Sequence, residues 1–180
     1  QPVTRNMTRL LMEQADLIVA TGSQNNVRSA YRSGTPAIGV GAGNVPVVID
    51  SNADLNDAAE KICASKTFDN ATSCSSENSL IILDEIYEDA MRALKNAGAY
   101  RCSAEERELI AGRLWVDGNL NRELIAKDAD VCAEGVGLGE GAENAKFFLV
   151  EEDFDPDSNF ADEKLSLVLT VYRARDFDHA

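Results

Sequence analysis

The 180-residue sequence contains a single histidine, His179, next to its last residue. A serine hydrolase triad and a papain-like cysteine–histidine pair both need an imidazole as their base. Because the body of the chain has no imidazole to supply, we expect neither kind of site. We interpret His179 as a surface residue near a chain end. Any nucleophile in this sequence must therefore be activated by groups of another kind.

Long apolar runs and an excess of positive charge are also missing. No apolar run approaches the roughly 20 residues that span a bilayer, and the start, Gln-Pro-Val-Thr-Arg, lacks the charged and apolar regions of a signal peptide. The 17 Lys and Arg residues stand against 31 Asp and Glu, which gives a net charge of −14. Such a charge disfavours nucleic acid or an anionic membrane surface as the main partner. We therefore expect a cytoplasmic protein that binds neither.

The four cysteines are widely spaced and form no Cys-x-x-Cys pair, so we expect no metal site and no disulfide framework. Cys63 falls on the predicted buried face of a helix, and we expect Cys102 to be exposed. Cys74 differs, because residues 66–80 surround it with small hydroxyl and amide side chains that can solvate and orient a thiolate. A polar turn without chemistry is the alternative interpretation of this stretch.

The order of apolar and helical segments predicts an α/β fold. Helix and strand alternate, which implies parallel strands joined by right-handed crossovers. We expect a layered, Rossmann-like fold with a parallel or mixed sheet and flanking helices. The expected helices cover residues 4–15, 25–32, 54–66, 85–97 and 104–114, with part of 119–133, and the expected strands cover residues 17–20, 37–40, 47–50, 79–83, 147–150 and 167–173.

Two glycine-containing stretches are candidate ligand contacts. Thr21-Gly22-Ser23 joins a strand to a helix, where backbone amides and the helix N-terminus can approach a phosphate. Many crossovers use glycine only to make the turn, so that interpretation stays open. Residues 39–46 alternate glycine with different residues and do not match the dinucleotide fingerprint G-x-G-x-x-G. A flexible connection between domains is the simpler interpretation of this second stretch.

Four motifs, taken in order, resemble the aldehyde dehydrogenase superfamily and, more narrowly, its coenzyme A-acylating branch. They are Ala20-Thr21-Gly22-Ser23, Gly39-Val40-Gly41-Ala42-Gly43-Asn44, Ser65-Lys66-Thr67-Phe68-Asp69-Asn70 followed by Cys74, and Glu163-Lys164-Leu165-Ser166. The resemblance runs along essentially the whole chain and implies an internal segment of a longer protein. It implies that residues 1–43 end a cofactor-binding domain and that residues 44–180 form an incomplete catalytic domain of the aldehyde dehydrogenase type.

The resemblance also implies a mechanism and a set of site residues. Cys74 would attack an aldehyde, hydride would pass to NAD or NADP, and an acyl thioester would remain on Cys74. Glu163 would hydrogen-bond the nicotinamide ribose, although Leu167 follows this motif where the family usually has proline. The further residues that the resemblance places at the cofactor are Thr21, Gly22, Ser23, Val40, Gly41 and Leu165.

The family's upstream oxyanion-hole asparagine and its closing oligomerisation strand have no counterpart in this sequence. We therefore expect the 180-residue chain alone to be inactive and the full-length enzyme to be a homo-oligomer.

Val40 separates the two branches of the family. In hydrolytic aldehyde dehydrogenases the glycine-rich link opens with a glutamate that activates water, and here valine stands in that place. Loss of a general base typically costs a factor of about 100 to 10,000 in rate, so the thioester should survive until coenzyme A intercepts it. The residues around Cys74 are similar to those of sulfoacetaldehyde dehydrogenases, which is a narrower hypothesis. A hydrolytic enzyme and a non-catalytic folded fragment also stay open as interpretations of the sequence.

Overall fold

The structure, a computed structural model, describes residues 3–41 and 43–180. It divides into two compact units, Gln1–Gly43 and Asn44–Ala180. The roles predicted for residues 1–43 and 44–180 remain predictions. Ala42, which belongs to the predicted glycine-rich link, lies outside the described residues.

The amino-terminal unit contains two helices and a two-stranded parallel sheet. In chain order its elements are α1 (Arg5–Gln14), β1 (Ile18–Thr21), α2 (Gln24–Tyr31) and β2 (Ala37–Val40). Ser23 caps α2, because its side chain accepts a hydrogen bond from the backbone N–H of Asn26. A small apolar core forms around Ile18, Ala20 and Ala30. The predicted alternation of helix and strand is confirmed here, with boundaries that differ by at most one residue.

The larger unit is built on a parallel sheet of five strands, which confirms the predicted fold class. The sheet order is β3-β4-β9-β8-β5, so the last strand in sequence lies at its centre. The elements are β3 (Pro46–Ile49), α3 (Leu55–Thr67), β4 (Ser79–Leu83), α4 (Tyr87–Ala97), β5 (Ala99–Arg101), α5 (Ala104–Leu114), β6 (Trp115–Val116), β7 (Asn119–Leu120), α6 (Ala129–Val136), β8 (Phe147–Glu151) and β9 (Val168–Ala174).

Local sequence explains where these elements begin and end. Asp54 caps α3 by accepting from two backbone N–H groups in its first turn. Ser103 and Glu106 form a capping box at the start of α5. Gly98 ends α4 with a left-handed φ of 115°, a conformation that glycine adopts without strain. The buried residues of α3 and α4 join those of the sheet in one apolar core.

Residues 119–133 are helical in part, as predicted, because α6 begins at Ala129. The residues before it form the short antiparallel strand β7 and a turn-rich loop. Strands β6 and β7 form a hairpin around Asp117-Gly118, both with positive φ, and Asp-Gly is a strong hairpin signal. α6 continues through Gly135 and ends at Val136, followed by Gly137 in a left-handed conformation. Among the described residues, no helix combines the length and apolar character needed to cross a membrane.

Candidate active site

Three of the predicted motifs meet at one edge of the five-stranded sheet. Asn44 precedes β3, Cys74 precedes β4 and Glu163 precedes β9, and these three strands are neighbours in the sheet. Because all three strands run parallel, their amino ends lie at the same edge. The Asn44 side-chain Nδ2 donates to the carbonyl oxygen of Ala161 across 2.7 Å. The fold therefore brings together segments that are 117 residues apart in sequence.

Cys74 lies in a tight polar turn at this edge. The turn closes where the backbone N–H of Ser76 donates to the carbonyl oxygen of Ser73 at 2.9 Å. The hydroxyl oxygens of Ser73 and Ser75 hydrogen-bond to each other, also at 2.9 Å. Cys74 itself is exposed, whereas Ser76 is buried and its hydroxyl has no hydrogen-bond partner among the described residues. The predicted polar surroundings of this thiol are thus present, and an approaching carbonyl compound can reach it.

The segment between α3 and the Cys74 turn has an unusual backbone. Asp69, Asn70 and Ala71 are consecutive residues with φ values of 50°, 51° and 61°. The left-handed region costs most L-residues about 1–2 kcal/mol, with asparagine and aspartate tolerating it best. The Asn70 Nδ2 donates to the Asp128 Oδ1 at 2.8 Å, which helps to hold this conformation. Strained backbone of this kind clusters at functional sites.

Hydrogen bonds connect this strained segment to the Glu163 motif. The Asn70 Nδ2 also approaches the carbonyl oxygen of Ala126 at 3.4 Å, and the backbone N–H of Ala126 donates to the carbonyl oxygen of Leu165 at 3.0 Å. Ala126 and Leu165 have positive φ values of 58° and 44°. Glu163 is half-buried, and Leu167, which replaces the usual proline, is buried. Leu165 thus supports the site through its backbone.

Two lysines of the motifs are completely buried beneath the site, with 1% of Lys66 and 0% of Lys164 exposed. Burial lowers the pKa of Lys66 to about 7, and the nearby Glu77 carboxylate opposes this shift. Burial, and then the charge of Lys66, lower the pKa of Lys164 to about 7. Both lysines belong to motifs of the family resemblance, but their burial was not predicted from the sequence. Lysine is rarely buried this fully. The neighbouring residues in the sequence therefore gave no reason to expect these two lysines in the interior.

The amino-terminal unit brings the remaining predicted cofactor contacts to one edge of its own sheet. Thr21 and Val40 are paired across β1 and β2 at the carboxyl ends of these strands, and dinucleotides usually bind at this edge of α/β sheets. Gly22 adopts a φ of 101° between β1 and α2, a conformation that glycine adopts without strain. It leads into the N-terminus of α2, where backbone N–H groups can approach a phosphate. The Gln24 side chain lies so close to Gly41 that it would collide with a Cβ atom at that position. The sequence did not predict that Gln24 lies beside Gly41.

The three cysteines outside this turn are all buried. Cys63 contributes to the core, as predicted. The expectation of an exposed Cys102 is wrong, because its backbone N–H extends β5 by donating to the carbonyl oxygen of Leu149 at 2.9 Å, which carries the side chain into the core. Burial raises the pKa of Cys102 to about 12 and that of Cys132 to about 11. Among the four thiols, all within the described residues, Cys74 is the one that solvent reaches.

Comparison with known proteins identifies the family. The profile of the aldehyde dehydrogenase family matches residues 4–107, more than half of the chain. A sulfoacetaldehyde dehydrogenase (acylating) from Cupriavidus necator is 48% identical over 178 residues, which cover 98% of this chain and 36% of that protein. An acetylating aldehyde dehydrogenase from Geobacillus thermoglucosidasius superposes with a TM-score of 0.92 at 38% identity, covering 97% of this chain and 39% of its own.

A further solved relative carries ligands. The propionaldehyde dehydrogenase of Rhodopseudomonas palustris, with bound coenzyme A and an acylated cysteine, superposes with a TM-score of 0.86 at 26% identity. The superposition covers 97% of this chain and 40% of that enzyme. The chain thus spans well under half the length of the relatives that it matches. The match to the family profile, together with the parallel sheet shared with acylating enzymes, establishes that the chain belongs to the aldehyde dehydrogenase family.

Proposed function

We propose that the protein containing this chain oxidises a short aldehyde to its coenzyme A thioester, reversibly and with NAD or NADP, through a covalent intermediate on Cys74. The observation that carries the proposal is the position of Cys74. It is the exposed thiol of the chain, and its polar turn lies at the sheet edge where the Asn44, Cys74 and Glu163 motifs meet. The acylated cysteine and bound coenzyme A of the Rhodopseudomonas palustris relative support it.

In this mechanism Cys74 acts twice. Its thiolate first attacks the aldehyde carbonyl carbon to give a thiohemiacetal, whose oxyanion accepts hydrogen bonds from backbone N–H groups near the turn. Each preorganised donor of this kind contributes about 2.7–4 kcal/mol to lowering the barrier. Loss of hydride from the former aldehyde carbon then leaves an acyl thioester on Cys74. The thiolate of coenzyme A displaces Cys74 from this thioester, which releases acyl-coenzyme A and regenerates the thiolate.

Residues of each unit, taken separately, fit a nicotinamide cofactor. When bound, that cofactor accepts the hydride. Gly22 and the capped N-terminus of α2 offer backbone N–H groups to its phosphates, with Thr21 and Val40 at the same sheet edge. Glu163 would hydrogen-bond the nicotinamide ribose. Thr21, Gly22 and Ser23 are all exposed, so these polar groups are available to a ligand.

Val40 supports transfer to coenzyme A in preference to hydrolysis. A valine side chain cannot accept a proton, so it cannot activate water for attack on the thioester. The similarity to the Cupriavidus necator enzyme makes sulfoacetaldehyde the first narrower substrate to test, beside acetaldehyde. The serine hydroxyls around Cys74 suit a polar substrate better than an apolar one.

The test is turnover of the full-length protein. Acetaldehyde and sulfoacetaldehyde are each supplied with coenzyme A and either NAD or NADP, and acyl-coenzyme A is quantified by mass spectrometry. We expect thioester formation that is lost in Cys74→Ala and kept in the matched variant Cys63→Ser, which alters a buried thiol. Thioester formation by Cys74→Ala would refute the mechanism. Absence of nucleotide binding and turnover in the wild type would favour a non-catalytic folded domain.

A further inference from the structure

The ammonium groups of the two buried lysines each bind a different segment of the candidate site. The Lys66 Nζ donates to the carbonyl oxygen of Glu77 at 2.7 Å, three residues after Cys74. The Lys164 Nζ donates to the carbonyl oxygens of Phe160 at 2.8 Å and Asp162 at 2.9 Å, immediately before Glu163. One lysine therefore holds the nucleophile turn and the second holds the Glu163 segment.

Packing does not explain an ammonium at either position. Removing a charged group from water is costly even after relaxation, and an apolar side chain of similar length would avoid that cost. The acceptors of both lysines are backbone carbonyls. The charged groups facing them are the Glu77 carboxylate for Lys66, and Lys66 and Asp162 for Lys164. What each lysine Nζ adds is thus a directed hydrogen bond to one chain segment.

Asn78 links the two segments that the lysines hold. Its side-chain Oδ1 accepts from the backbone N–H of Lys164 at 3.1 Å. Its backbone N–H donates to the carbonyl oxygen of Val45 at 2.9 Å, and its carbonyl oxygen accepts from the N–H of Thr170 at 3.1 Å. Asn78 is therefore hydrogen-bonded to the segment that precedes β3, to the segment that precedes β9, and to β9 itself. The lysines complete a network that fixes both site segments relative to the sheet.

We propose that Lys66 and Lys164 are positioning residues with separate tasks: Lys66 holds the Cys74 turn in its reactive geometry, and Lys164 holds Glu163 in place for the nicotinamide cofactor. The assignment of the cofactor contact rests on the proposed function. The assignment of the turn rests on the hydrogen bonds alone. If the two lysines served only general stability, replacing either one should have the same effects, because both are buried to the same extent.

The experiment compares Lys66→Met and Lys164→Met in the full-length protein, with wild type as reference. For Lys66→Met we expect Cys74 alkylation by iodoacetamide and kcat to fall about tenfold, as for a lost hydrogen bond, with the nucleotide KM within about twofold. For Lys164→Met we expect the nucleotide KM to rise about tenfold, with Cys74 alkylation within about twofold. Amide exchange should increase at residues 73–77 in the first variant and at residues 160–165 in the second.

Two further variants serve as controls. Leu94→Ala removes an equally buried side chain of α4 and should shift neither the alkylation rate nor the nucleotide KM. Lys66→Gln keeps a donor and should recover part of the alkylation rate that Lys66→Met loses. The proposal is overturned if both methionine variants change the same parameters, or if neither changes any. If the wild type makes no thioester, the proposed function fails, while alkylation and amide exchange still report on the lysines.

Discussion

The side chain of Asn70 donates to that of Asp128 across 2.8 Å and so joins the left-handed segment before Cys74 to the residue that precedes α6. Asn70 has a φ of 51°, which asparagine tolerates better than most residues do. One side chain thereby serves both the local backbone and a contact 58 residues away.

Asn70→Ala should therefore lose more stability than Asn70→Gly. Alanine loses the hydrogen bond and also strains the left-handed backbone, for a total of about 2 kcal/mol, whereas glycine loses the bond without that strain, for about 1 kcal/mol. Urea denaturation measures both values. A double-mutant cycle with Asp128→Ala should give a coupling of about 1 kcal/mol. Equal destabilisation by alanine and glycine would show that the left-handed conformation carries no strain.

The buried lysines predict a rise in stability with pH above neutrality. Their folded-state pKa values near 7 lie below the value of about 10.4 for free lysine, so the unfolded chain holds protons that the folded chain releases. The free energy of unfolding should increase by about 1 kcal/mol per lysine between about pH 7 and pH 8.3. Above this window the raised pKa values of Cys102 and Cys132 act in the opposite direction.

Urea titrations at the two pH values measure this effect. The double variant Lys66→Met/Lys164→Met should lose the rise, whereas Lys61→Met, which changes an exposed lysine, should keep it. The same rise in the double variant would assign the pH dependence to different groups.

Thiol labelling should distinguish Cys74 from the three buried cysteines. At neutral pH, iodoacetamide should modify Cys74 in the folded protein while Cys63, Cys102 and Cys132 react only on unfolding, because they are buried and burial raises the pKa of the last two. Peptide mass spectrometry follows each site. Labelling of Cys102 at a comparable rate in the folded protein would contradict its burial.

Val40→Glu should divert part of the thioester to hydrolysis in the full-length enzyme. The family resemblance implies that position 40 corresponds to the water-activating glutamate of the hydrolytic branch, so with glutamate there we expect carboxylic acid formation without coenzyme A to rise by about tenfold or more. The control is Val40→Gln, because a glutamine side chain is nearly the size of glutamate but cannot act as the base. This variant should leave the hydrolysis rate unchanged. Comparable acid production by both variants would mean that side-chain size, not proton transfer, limits hydrolysis.

Much of the fold could be predicted because its strands are continuous apolar runs between clear helix boundaries. Strand β5 could not, because Ala99–Arg101 has only three residues, too few to show a period. The β6–β7 hairpin was missed although Asp117-Gly118 is a recognisable turn signal. The prediction for Cys102 was wrong because its burial follows from pairing beyond the end of β5, which depends on β8.

The candidate site was less predictable than the fold. The polar residues around Cys74 are local and were visible in the sequence. The burial of Lys66 and Lys164 is not local, because it depends on where the carbonyl groups of Glu77 and Phe160 lie once the sheet has formed. The left-handed segment had a partial signal in Asp69 and Asn70, since these residue types tolerate that conformation.

The central position of β9 has a consequence for synthesis on the ribosome. In the finished sheet β9 lies between β4 and β8 and pairs with both. Until β9 has emerged from the ribosome, each of these two strands lacks one of its neighbours. The nascent chain must therefore carry two incomplete half-sheets with unpaired edges, and parallel pairing over such sequence distances is slow and exposes the chain to aggregation. Cys74 is translated before β9, but the sheet edge on which it lies is completed only when β9 inserts between the two halves.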